Sequence, residues 1–281
     1  MSLSNQVTIR RGGWARENAI SYIYNVSKAN LNAGKDRIQC IAATGKKVDT
    51  DFLVQTVVDA AAMVTDEFLV MAKDAGGDLV TSFDFEIERF IIDKIRETYP
   101  DFQIVSEEFN PTNKLSPNCF VIDPIDGTIN FANGLPLWGI QVAMVRDGSP
   151  VCSVIFLPRL NELYYADDTG AYLNHRPISV GTQPPDKCLY LVEGGDKFPA
   201  LQRLNISSRH WRYFCCTALN MAWTACGRLG GAILRKDNVW DYLPGQYLVQ
   251  MAGGHVINKK GAHIAANTKE LAKRLLRDGR L

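Results

Sequence analysis

The apolar positions of this chain change period several times, and those changes mark out its elements. Over residues 51–71, Phe52, Val54, Val57, Val58, Ala61, Val64, Phe68 and Met71 recur near helical spacing. They predict one amphipathic helix, with Asp49 or Thr50 as its cap. Gly76-Gly77-Asp78 breaks the pattern and a short β-type run, residues 79–81, follows. Ile87, Phe90, Ile91 and Ile95 then share one face of a second helix, residues 84–99, which Pro100 stops. Two buried-type strands come next, residues 103–106 and 119–122, and each runs straight into carboxylates. Residues 137–145 and 151–157 flank a hairpin turn, and 162–166, 171–174, 177–180 and 189–192 read as further strands. Helices are predicted over 217–228 and 242–252, the second with Pro244 in its first turn. Asn267 with Glu270 reads as a capping box for a last helix. Helices interleaved with mixed and antiparallel strands predict an α+β fold.

Composition narrows the field. No apolar run is long enough to span a bilayer and no apolar leader opens the chain, so a cytoplasmic protein with no membrane partner is expected. The seven cysteines form no Cys-x-x-Cys pair and no zinc-type spacing with the four histidines, which fits a reduced compartment. Those histidines, His175, His210, His255 and His263, read as structural, as do Trp138 and Trp223. The net charge of +1 gives no nucleic-acid footprint overall. Its distribution is uneven, because residues 1–50 carry eight basic and three acidic side chains. This basic N-terminal segment is the one place where a contact with nucleic acid is expected, if anywhere.

The chemistry concentrates in Val121-Ile122-Asp123-Pro124-Ile125-Asp126-Gly127-Thr128. Two aspartates stand three apart at the end of an apolar strand, with a proline between them and Gly-Thr behind. Mg²⁺ takes hard oxygen ligands, for which carboxylates are the usual protein source. Two ions sharing a carboxylate can hold both the attacking and the leaving oxygen of a phosphoryl transfer. Gly127 removes bulk where a phosphate must approach, and Thr128 can position a water. Glu107-Glu108, Asp84 and Asp241 add acids at the ends or starts of neighbouring elements.

The Asp-Pro-Ile-Asp-Gly-Thr run resembles the hallmark of the inositol monophosphatase family, in its bacterial extragenic-suppressor and inositol-1-monophosphatase type. The segment 77–84, Glu107-Glu108, Ala218-Leu219-Asn220-Met221, Trp240-Asp241 and Gly253-Gly254 follow in the family's order. The resemblance implies a layered α-β-α-β-α sandwich over residues 51–281, with a division into two packed subdomains at about 51–180 and 181–281 as the alternative. It implies a lithium-sensitive, Mg²⁺-dependent phosphoric monoester hydrolase, usually a homodimer. Two to three Mg²⁺ ions would be held by Glu107, Asp123, the Ile125 carbonyl, Asp126 and Asp241. Asp84 and Thr128, with Glu107, would act on the attacking water. Substrate would meet Asp126, Gly127, Thr128, Ala218, Arg235 and Asp241. Lys73 falls near a family lysine, although a lysine at a helix end is the plainer reading.

Three departures bear on substrate. Ile129 stands where a second threonine is usual, and Tyr242-Leu243-Pro244-Gly245 replaces an alanine-rich segment. Arg235-Lys236 lies where relatives acting on inositol phosphate carry an acid. A cationic pair suits a more anionic ligand. A bisphosphate nucleotidase or fructose bisphosphatase therefore stands beside inositol monophosphate hydrolysis, and a regulatory RNA- or transcription-associated protein is the alternative of another class.

Overall fold

The computed structural model describes residues 7–10, 46–73, 77–112, 114–193, 210–235, 237–259 and 261–278. Their strands form three sheets. The largest has seven strands in the order β10-β9-β8-β7-β6-β5-β4. In chain order these are β4 (Gln103–Ser106), β5 (Cys119–Asp126), β6 (Gly139–Arg146), β7 (Ser149–Leu157), β8 (Glu162–Asp167), β9 (Gly170–Leu173) and β10 (Arg176–Pro177). Only β4 and β5 pair in parallel; the rest of this sheet is antiparallel.

Alternation along the strands sends successive side chains to opposite layers. On β5, Phe120 and Ile122 join the core beneath α1 (Lys46–Ala62) and α2 (Ser82–Thr98), with Leu53, Val57, Ile87 and Ile91. Val121 faces the other way, toward Val239 and Trp240 at the start of α5 (Val239–Met251). On β7, Val154 and Phe156 go to the first layer, Ile155 and Leu157 to the second. That second layer is α4 (Thr217–Ala225) with α5.

Beyond it lies a five-stranded sheet, ordered β12-β11-β13-β15-β14. Its strands are β11 (Tyr190–Glu193), β12 (Trp211–Arg212), β13 (Gly231–Leu234), β14 (His255–Lys259) and β15 (Ala262–Ala266). Leu191 and Ala232 turn inward to Phe214 and Trp223, while Tyr190, Val192, Ile233 and Ile264 turn outward to Leu271, Ala272 and Leu275 of α6 (Lys269–Asp278). The result is the expected α-β-α-β-α sandwich. A small sheet of β1 (Val7–Arg10), β2 (Glu67–Ala72) and β3 (Leu79–Thr81) pairs antiparallel, so residues 7–10 of the basic N-terminal segment, like residues 46–50 at the start of α1, have a defined place. Most of that segment, and Lys236, lie outside the described residues.

Some element boundaries differ from the periodicity. The single helix expected over 51–71 is α1, ending at Ala62, followed by strand β2. Phe68 and Met71 fall at helical spacing, but a short apolar run fits either period, and pairing with β1 and β3 decides it. Asp49 is thus in the first turn of α1 and not its cap. It accepts hydrogen bonds from Tyr99 at 2.6 Å and Arg146 at 2.8 Å. Helix α5 starts at Val239, which puts Pro244 inside it and leaves the Trp240 carbonyl without its usual N–H donor. The last helix is capped by Thr268, whose hydroxyl accepts from the Leu271 N–H at 3.1 Å, and not by Asn267. Gly245 meets a real need: a Cβ there would collide with Met221 where α5 crosses α4.

Candidate metal and phosphate site

The site forms where the ends of β4 and β5 meet the starts of α2, α4 and α5. In a regular strand, residues three apart point to opposite faces. Asp123 and Asp126 do not, because the register of β5 against β6 shifts between them: Asp123 lies opposite Gln141 and Asp126 opposite Gly139. Three steps on one strand answer two on the other, which is a β-bulge. Pro124, with no N–H for the ladder, sits in the shift. Helix α5 delivers Asp241 in its first turn. One carboxylate oxygen from each of Asp123, Asp126 and Asp241 then lies within 4.8 Å of the others, and all three residues are buried.

Three buried acids this close repel one another. Burial first, and then the charges of Glu107, Asp126 and Asp241, push the Asp123 carboxyl well above the usual range, against a lowering hydrogen bond from Gln141. Asp123 Oδ2 accepts from Gln141 Nε2 at 3.2 Å, while Oδ1 is buried with no hydrogen-bond donor. A buried carboxylate oxygen without a donor carries a desolvation cost that a cation removes. Asp126 has the opposite arrangement at one oxygen. Its Oδ2 accepts from the Ala218 N–H, from the Thr217 hydroxyl at 2.9 Å and from the Cys216 thiol at 3.3 Å. The donor set is all oxygen and anionic, and it fits a hard divalent cation.

Asp84 stands three residues into α2 and is buried. Its Oδ2 accepts from the Thr81 N–H at 2.7 Å and the Thr81 hydroxyl at 2.6 Å. Its Oδ1 lies 3.3 Å from the Thr128 hydroxyl, which also lies 2.9 Å from the Ile125 carbonyl. The expected Asp84–Thr128 pair is therefore in reach, and the Thr128 hydroxyl can donate either to Asp84 Oδ1 or to the Ile125 carbonyl. Burial above all raises the Asp84 carboxyl to about 7; the Thr81 hydrogen bonds lower it, and Glu107 and Glu108 raise it further. Gly127, at φ +90°, precedes the short helix α3 (Thr128–Ala132). A Cβ there would sit 3.0 Å from the Leu137 carbonyl oxygen and 3.2 Å from that of Cys215, so only glycine fits.

Glu107 is close enough for its charge to act on Asp84 and Asp123, but its carboxylate is outside the three-aspartate group. It accepts from Lys73 Nζ at 2.8 Å, and Glu108 accepts from the same ammonium at 2.5 Å. Lys73 follows strand β2 and belongs to no helix end, so the dipole reading of this lysine is replaced by an ion pair. Burial disfavours its charge, but Glu107 and Glu108 outweigh burial and raise its pKa. Ala218 meets Asp126 through its N–H, and Arg235 is placed by its own N–H donating to the Glu193 carbonyl at 2.8 Å. Ile129 is 45% exposed beside Thr128.

Sequence reasoning missed three buried groups. Glu88 accepts from the Ser106 hydroxyl and the Glu108 and Phe109 N–H groups, and so shapes the loop that carries Glu107. Gln141 reaches Asp123, with Thr217 Oγ1 3.5 Å away. Glu193 ends the apolar strand β11. A carboxylate closing an apolar strand was the signal that flagged Glu107 and Asp123, and it applies to Glu193 as well.

Comparison with known proteins agrees with this geometry. Residues 42–280 match the inositol monophosphatase family. The chain belongs to that family. A Thermotoga maritima protein named fructose-1,6-bisphosphatase/inositol-1-monophosphatase is 36% identical over 71% of this chain and 79% of its own length. An inositol-1-monophosphatase of Synechocystis is 34% identical over 66% of this chain and 69% of its own. The Nus factor SuhB of Xylella fastidiosa is 33% identical over 70% and 74%. Among solved structures, the Thermotoga maritima IMPase covers 82% of this chain and 97% of its own at a TM-score of 0.72 and 29% identity. The SuhB extragenic suppressor protein of Bartonella henselae covers 83% and 98% at 0.73 and 26%. Membership of this family implies a phosphatase, with the exact activity left open by the SuhB-named relatives, and the buried aspartate cluster is suited to metal.

Proposed function

We propose that this chain hydrolyses the phosphate monoester of a small soluble polyol, inositol monophosphate foremost, with Mg²⁺ as cofactor. The observation that carries the reading is the trio Asp123, Asp126 and Asp241, buried within 4.8 Å, with one Asp123 oxygen lacking any donor. These residues, with Glu107 and the Ile125 carbonyl, would hold two to three Mg²⁺ ions. The ions would supply charge neutralisation and Lewis acidity toward the phosphate and the attacking water.

The chain's own groups have separate tasks. Asp84 and Thr128 lie 3.3 Å apart and accept and relay the proton of the attacking water. The amides of Gly127 and Thr128 hold the phosphate oxygens. Lys73 pairs with both Glu107 and Glu108 at the rim and offsets one of their two charges. By the same resemblance we expect inhibition by Li⁺ and a homodimer.

A second reading within this chemistry rests on Arg235 at the end of β13, and the dual name of the Thermotoga relative supports it: a bisphosphorylated sugar or nucleotide. The SuhB relatives support a transcription-associated role as the alternative of another class. Phosphate release from inositol monophosphate, fructose bisphosphate and adenosine bisphosphate separates the first two. Turnover of inositol monophosphate at the highest kcat/KM is the expected result. Preference for a bisphosphate moves the assignment to the second reading. Inactivity on all three, in folded protein that binds metal, favours the regulatory one.

A further inference from the structure

The grip on Asp126 comes from the first turn of α4, and that turn is itself held by a residue to which the phosphatase reading gives no task. Glu193, buried at the end of β11, accepts through one oxygen, Oε2, from the Cys216 N–H at 3.1 Å and from the Asn220 side-chain amide. A carboxylate only accepts, so the Asn220 nitrogen must face it. Cys216 precedes α4 and Asn220 completes its first turn, so Glu193 ties down both ends of the segment Cys216–Asn220. Between those two ties, Cys216, Thr217 and Ala218 send their donors to Asp126 Oδ2. The members of this chain, Cys216, Thr217, Ala218 and Asn220, are fully buried.

We propose that Glu193 is a positioning residue for the metal centre: by anchoring the first turn of α4, whose donors hold Asp126 Oδ2, it fixes how Asp126 presents its carboxylate to the three-aspartate group. The proposal rests on the metal-centre reading above. A carboxylate suits this position, because the unsatisfied N–H groups at a helix start favour negative charge, and charge-assisted bonds hold the turn more tightly than neutral ones. Glu193 is not one of the three grouped carboxylates, and its bonds to Cys216 and Asn220 link it to them through α4.

The readout is Mn²⁺ affinity of the full chain, measured by electron paramagnetic resonance of free Mn²⁺ and so independent of turnover. Glu193→Ala is expected to bind Mn²⁺ about 10–100-fold more weakly, the usual range when the group that orients a ligand is lost. Glu193→Gln keeps an acceptor oxygen for Cys216 and Asn220 and is expected to recover most of that loss. Asp49→Asn, which breaks a hydrogen-bonded pair away from α4, is expected to lower stability and leave Mn²⁺ affinity unchanged. Should Glu193→Ala not fold, Asn220→Ala removes one of the two ties and is expected to weaken Mn²⁺ in the same direction. Wild-type affinity in the folded alanine variants overturns the proposal alone. No Mn²⁺ bound by the wild type overturns the metal-centre reading and this proposal with it.

Discussion

Two acid-bearing regions of this molecule are built on opposite plans. Around Asp49, a buried carboxylate is given its full complement: Arg146 at 2.8 Å on one oxygen and the Tyr99 hydroxyl at 2.6 Å on the other. Burial and that hydrogen bond raise the Tyr99 pKa, so the phenol stays a donor over the whole neutral range. Around Asp123, three buried carboxylates face one another, and Asp123 Oδ1 has no donor. The same chain that completes an acid within its core leaves another incomplete in the site. A protein of marginal stability tolerates such a cluster where something outside the chain completes it. The difference separates structural acids from functional ones, and it can be tested directly.

The largest effect is expected at the incomplete cluster. Asp126→Asn should cut phosphate release by at least about 10³-fold, because metal stabilisation of transition-state charge amounts to several kcal/mol. Its melting temperature in chelator should not fall in proportion, since the change also relieves repulsion among the aspartates; a large loss of stability would break the comparison. Gly127→Ala should reduce turnover by about 10²-fold, since displacing the Gly127–Thr128 turn by even an ångström spoils positioning. A near-normal rate in that variant would show that the close approach of the Leu137 and Cys215 carbonyls has no part in catalysis.

Metal should act on one region only. At about a hundredfold excess over its Kd, Mg²⁺ should stabilise the fold by about 2.7 kcal/mol. For a chain of this size that is a rise in Tm of about 5–10 °C. The rise should vanish in Asp126→Asn and persist in Asp49→Asn, and differential scanning fluorimetry reads both. Smallest is the cost at the completed acid: Asp49→Asn should lose about 1–2 kcal/mol, because Arg146 is partly exposed and its pairing is partly screened. Its kcat should be unchanged. A fall in kcat there would mean that the two regions are coupled.

Local signals were readable and long-range ones were not. The Asp123–Thr128 run announced the site because its parts are neighbours: a strand, a proline that breaks its ladder, and a glycine with no room for a side chain. Asp241 was legible for a similar reason, as an acid just before a predicted helix, and the structure starts that helix early enough to include it. Glu193 and Gln141 were not singled out, because their roles depend on partners on other elements, Asn220 and Asp123, that only the folded chain brings close. Lys73 was misread because its partners lie 34 and 35 residues further on. The stretch 51–71 was misread for the reverse reason, since its own pattern fits a helix and only pairing with β1 and β3 makes its end a strand.

The central claim is that the three-aspartate cluster is a metal-requiring phosphatase site. Its most direct test is phosphate release from inositol monophosphate as Mg²⁺ is titrated into metal-stripped protein, with Asp126→Asn alongside. The account predicts no release without Mg²⁺, saturable activation in the wild type, and none in the variant. Release that persists in chelator, or survives Asp126→Asn, would contradict it.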